Sequence, residues 1–266
     1  MLPINIDSTR IPLINDFYYY IIHRFLNNLD EGISNRKFQY ILEQRNRTPE
    51  LLLPMASAAI QLKQKVLSFW FKGFKNGEIL PLSLIQFWFS GGATVDTECR
   101  KHFSKDLEDI FEKRMYIDDL KKTPEGTLNL AILLDQLPRN IFRGTARPFV
   151  DFDPLASEIA KYCIHRKWDE QLDPIQREFI YLPLEHSEKM EDQDLSLQKH
   201  KWQVDTTPEI YSETLKSFLA YAESHRNIIK RFGRFPHRNK ILGRKPTKEE
   251  IDFLEQGGET FDSTII

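Results

Sequence analysis

Three short runs place groups capable of chemistry where apolar residues would be expected. In "AILLDQLPRNIFRG", Asp135 and Gln136 follow four apolar positions, and Arg139, Asn140 and Arg143 come next. A carboxylate so embedded is costly unless it is paired. The spacing of four would put Asp135, Arg139 and Arg143 on one helical face if the helix survives Pro138. In "YLPLEHSEKMEDQD", Glu185, His186, Ser187 and Glu188 follow an apolar run. Glu185 and Glu188 are neighbours on a helix surface, and His186 is the natural acid or base near neutral pH. The third run, "ESHRNIIKRFGRFPHRNKILGRK", carries His225, Arg231, Arg234, His237, Arg238, Asn239 and Arg244. From His225 to Lys248 there are nine Lys and Arg and no acid. Gly233 ends a helix there and Pro236 cannot continue one, so Gly233 to Gly243 reads as an ordered turn anchored by its phenylalanines.

Planar guanidinium forks match carboxylates and phosphates. In the leading reading, Arg139, Arg143, Arg234 and Arg238 hold a small anionic ligand. His186 or His237 serves as acid or base, tuned by Glu185 or Glu188. Asp135, Gln136, Asn140, His225, Arg231, Asn239 and Arg244 complete the ligand-binding set. In the alternative, the protein is a non-catalytic helical-repeat interaction protein, and the arginines answer Asp135, Glu185 and Glu188 as internal struts. No cofactor and no metal is expected. Cys99 and Cys163 form no CxxC pair, and a Glu185, His186, Glu188 set completed by His225 or His237 lacks the spacing of a ligand motif such as HExxH. Ser187 beside His186 in sequence is no catalytic dyad, and there is no phosphate loop or dinucleotide fingerprint. The protein is thus an enzyme or a binding protein.

These residues need a frame. The chain has 266 residues, 41% hydrophobic, 29% charged and 12% aromatic, with net charge −2, so a generic nucleic-acid binder is excluded. Two cysteines, no signal peptide and no apolar run long enough to span a membrane point to the cytoplasm. A small anionic ligand and a possible protein partner are expected; RNA binding through the basic run is the weaker reading.

No stretch alternates with period two, so an all-α fold of about ten helices in antiparallel pairs is expected. Residues 1–65 read as a helical extension packed on the main domain, with a stripe through Phe17, Ile21 and Phe25 and breaks at Pro49 and Pro54. Turns are expected at Gly73–Pro81 and Ser90–Gly92. Helix starts are expected at Thr123-Pro124, Asp153-Pro154, Asp173-Pro174 and Thr207-Pro208, with a capping box at Thr247 and Glu250. Pro138 is expected to interrupt its helix. An aromatic wall at Trp88 and Phe89 near Asp96 reads as packing.

The runs "LNLAILLDQLPRNIFRGT", "FIYLPLEHSEKMEDQD" and "HRNIIKRFGRFPHRNKILGRKPTKEEIDFL" resemble a family of uncharacterised, mostly bacterial proteins with a tetratricopeptide-like helical fold. The resemblance covers residues 66–266 and implies that fold and a polar signature at the residues named above. It implies no reaction. Gly92, Val95 and Leu120 depart from the family pattern, around the expected aromatic wall.

Overall fold

A computed structural model describes residues 49–261, with side chains from Ala58 onward. The expected stripe through Phe17, Ile21 and Phe25 lies outside the described residues. Every regular element among them is helical: α1 (Pro49–Phe71), α2 (Leu82–Ser90), α3 (Gly92–Lys113), α4 (Ile117–Leu120), α5 (Pro124–Ala131), α6 (Leu137–Ile141), α7 (Asp153–His165), α8 (Pro174–Glu185), α9 (Met190–Thr206), α10 (Ser212–Phe232) and α11 (Lys248–Glu255). The all-α expectation holds. The described residues from Pro54 onward group into one compact unit. No described helix is long and apolar enough to cross a membrane.

The centre of this unit is the segment from Pro124 to Ile141. Leu128, Leu130, Ala131, Ile132, Leu133 and Leu137 are fully buried, and so are Thr127, Asn129 and Asp135. A helix apolar on all sides must be surrounded, and α3, α7 and α8 pack around this one. Its start is built as the sequence indicates. Thr123 Oγ1 accepts the Gly126 N–H at 3.0 Å, and Pro124 occupies the first turn. Gly126 has no alternative, because a Cβ there would lie 1.9 Å from the Leu120 carbonyl oxygen.

Pro138 does not interrupt the segment. A π-helical turn, Ile132–Gln136, intervenes, and the Leu137 N–H reaches back five residues to Ile132 O. The widened turn draws the preceding carbonyls away from the proline ring, so α6 continues to Ile141. Pro54 likewise does not break α1. Asp153 does not cap α7: a second π turn, Pro148–Phe152, leads directly into it. After Thr207-Pro208 the chain first makes a 3₁₀ turn, and α10 begins at Ser212.

Around α8 the core is aromatic. The Phe179 ring lies edge-on to Trp88 at 4.9 Å, Phe71 at 5.5 Å and Trp70 at 5.7 Å. Trp88 Nε1 donates to Trp70 O at 2.8 Å, which satisfies the one polar atom of that indole. Phe179 thus joins α1, α2 and α8. Phe179→Ala is expected to lower unfolding free energy by about 3–5 kcal/mol, measured by urea titration.

Candidate functional site

A cavity of about 570 Å³ opens between α2, α6, α8 and α10. Trp88, Phe89, Phe149, Leu182 and Phe218 give it an apolar wall. Gln136, Arg139, Asn140, Arg143, Glu185, His186 and His225 form a polar one. The aromatic residues expected only to pack therefore also face this space.

At the head of the polar wall stands His186. Its Nδ1 lies 2.7 Å from Asp135 Oδ1, and Asp135 has no solvent exposure. Asp135 also accepts Gln136 Nε2 at 2.5 Å and lies 3.2 Å from Arg139 Nη1. Burial pushes its carboxyl up, but Arg139 and His186 outweigh this and hold it well below the usual carboxylate range. An ionised carboxylate only accepts, so the His186 proton sits on Nδ1 and Nε2 is left as the basic nitrogen. The turn carrying His186 is fixed from behind. Gln193 Nε2 donates to Glu185 O at 2.6 Å and Ser187 O at 2.7 Å. Ser187 Oγ donates to Asp192 Oδ2 at 2.7 Å, and Ser187 does not line the cavity.

The arginines of the wall are each clamped by a carboxylate. Arg139 forms a two-bond fork with Asp153 at 2.7 and 3.0 Å. That pairing explains why Asp153 is not a cap. Arg143 does the same with buried Asp96 at 2.6 and 2.8 Å. Asn140 bridges by donating to Gln136 O and accepting from Arg143.

Deeper in the wall, Glu178, Glu185 and His200 bring donor atoms within 4.8 Å of one another, all three buried, an arrangement that could hold a metal. Burial, with repulsion from Glu178 and Asp135, raises the Glu185 carboxyl against the pull of His200. His225 Nδ1 lies 3.4 Å from Glu185 and bonds to Tyr221 O at 2.8 Å.

The C-terminal motif divides differently. Arg238 donates to His186 O at 2.8 Å, and its guanidinium lies over Phe149 and Phe235. Glu188 receives the Phe235 N–H at 2.8 Å and the Arg244 fork at 2.6 and 3.0 Å. Arg244 Nε donates to Asn239 Oδ1. Arg234 forks onto buried Glu250 at 2.6 and 2.8 Å, and Arg231 pairs with Glu249. His237 is buried against Phe235. The three motifs do meet, but Glu188, Arg231, Arg234, His237, Arg238, Asn239 and Arg244 do not line the cavity. Arg234 and Arg238, expected to hold the anion, brace the turn instead.

Sequence reasoning passed over Glu178 and His200. The available signal was the seven-residue step from Glu178 to Glu185 along one apolar face of α8.

Fold and site together define an all-helical protein with a cavity served by a buried carboxylate–imidazole pair. Residues 66–258 match the family described as bacterial protein of unknown function (DUF924), and the chain belongs to that family. It is similar to the solved structure of a protein of unknown function from Agrobacterium tumefaciens, with 34% identity and a TM-score of 0.62, over 75% of this chain and 99% of that one. No curated protein matches it.

Glu250 offers a test of the bracing role. The bonds from Arg234 lower its carboxyl from the ordinary 4.5 to about 2, against the opposing effect of burial. A depressed acid contributes stability that is present above its unfolded value and lost as pH falls through its folded value. Wild-type protein should therefore lose melting temperature between about pH 4.5 and 2, and the loss should be shallower in Glu250→Gln. Arg234→Ala should melt lower at pH 7, with no rescue by phosphate. An Arg234→Ala protein that melts like wild type would end this reading.

Proposed function

We propose that the cavity binds a small, partly apolar molecule that presents an anionic or proton-exchanging group to His186. The observation that carries this reading is His186 itself, held on its inner nitrogen by an ionised, buried Asp135 at a cavity wall. Such a pair can take a proton from a ligand through Nε2 and stabilise the imidazolium that results. Arg139 and Arg143 bring two permanent cations to the same wall, and the aromatic side would cover an apolar body. The reading extends to catalysis by acid–base transfer at His186, with Glu185 near enough to tune the local field. Helices α8, α9 and α10, packed in succession, support a tetratricopeptide-like arrangement. Two buried, free cysteines support a cytoplasmic setting.

Benzoate is a suitable probe, with phosphate as the purely polar comparison. Benzoate should raise the melting temperature of the wild type more than phosphate does. In His186→Gln its affinity should fall about tenfold or more, the value of a hydrogen bond to a charged group, and the unliganded melt should fall as well, because Asp135 loses a partner. Equal benzoate shifts in both proteins would remove His186 from the site.

A further inference from the structure

The three atoms deepest in the wall are arranged in a way the acid–base reading does not use. His200 Nε2 lies 3.1 Å from Glu178 Oε2 and 3.1 Å from Glu185 Oε1. Donor atoms around one ion at about 2.1 Å stand about 3 Å apart, so these separations suit a shared ion. The ring is also oriented for it. His200 Nδ1 lies 2.9 Å from Ser196 O, and a carbonyl only accepts, so Nδ1 carries a hydrogen and Nε2 points at two carboxylates. That backbone-anchored imidazole is the usual support of a metal-binding histidine.

Glu185 supplies the independent observation. It is 1% exposed and lines the cavity, yet neither carboxylate oxygen accepts a hydrogen bond. His200 directs its bond to Glu178, and the neighbouring His225 Nδ1 directs its own to Tyr221 O. A buried carboxylate without hydrogen bonds is short of partners, and an ion bound here would take the place of the proton on His200 Nε2. Glu178 and Glu185 both reach the cavity wall while His200 lies behind them, so the open side of the set faces the cavity.

We propose that Glu178, Glu185 and His200 bind a divalent first-row transition ion at the cavity wall. One imidazole with two carboxylates favours Zn²⁺, Mn²⁺, Fe²⁺ or Co²⁺ over Mg²⁺ and Ca²⁺, which prefer all-oxygen shells. Three protein ligands leave positions for water or for a ligand in the cavity, as in catalytic metal sites.

The full chain titrated with Co²⁺ alone should bind one equivalent and develop visible absorption. Glu185→Gln and His200→Gln should each weaken binding by about tenfold or more. Mg²⁺ at the same concentration should not compete. Crystals of wild-type protein soaked in Co²⁺ should show an anomalous peak between Glu178, Glu185 and His200, a readout that stands even where a variant does not fold. His186→Gln should bind Co²⁺ as the wild type does, since Asp135 and not the ion holds that ring; this keeps the metal separate from the benzoate result. No anomalous peak at this position, or Co²⁺ affinity unchanged in Glu185→Gln, would overturn the proposal.

Discussion

The structure turns on one desolvated charge. Asp135 sits at the centre of the helical unit with no solvent exposure, and an unpaired carboxylate there would cost several kcal/mol. Its oxygens are answered by His186, Gln136 and Arg139. Each answer fixes something further. Arg139 must reach Asp153, which joins the central segment to α7. His186 must hold its ring against the π turn that carries Asp135, which sets the end of α8. The π turn that carries Asp135 is what lets one segment present both Asp135 and, beyond Pro138, Arg139 and Arg143. Turns of this kind recur where a helix must present side chains out of ordinary register.

The same logic explains the number of arginines. Arg139, Arg143, Arg234 and Arg244 each fork onto one carboxylate, contributed by Asp153, Asp96, Glu250 and Glu188. A two-bond fork fixes both distance and plane, which a lysine cannot do. Pairs like these need not add net stability over an apolar contact. They do fix which segments meet, because a mispaired arrangement leaves a buried charge unanswered. The basic motif is therefore mostly a clasp between the C-terminal turn and the end of α8. The polar groups facing the cavity are a separate, smaller set.

Much of this was legible, and the divide follows interaction range. Local devices could be read directly. Thr123 caps, Gly233 takes a left-handed φ of 69°, and Thr247 with Glu250 makes the capping box, because each depends on residues within one turn. The union of the three polar motifs was legible as a balance of opposite charge in apolar surroundings. Partner choice was not. Asp153-Pro154 has the local form of a helix start, yet a fork from Arg139 outweighs it. Pro138 reads as a break because the sequence does not record that a fully buried helix will widen a turn to stay continuous. Glu178 and His200 come from different helices, and nothing within either run marks them as a pair.

Arg238 shows how the clasp and the cavity connect. It never reaches the cavity wall, but its guanidinium donates to the His186 carbonyl while lying between Phe149 and Phe235. Phe149 belongs to the apolar wall and Phe235 to the C-terminal turn. Glu188, two residues beyond His186, is bound by that turn through Phe235 N–H and Arg244. The backbone around His186 is thus gripped on one side by Gln193 of α9, through the Glu185 and Ser187 carbonyls, and on the other by Arg238 at the His186 carbonyl. The ring is gripped by Asp135. An imidazole held at its backbone and its inner nitrogen has little rotational freedom, so its outer nitrogen is presented to the cavity in one orientation. That preorganisation is what a proton-transfer group requires, and it ties the long basic motif to the cavity although none of its arginines lines it.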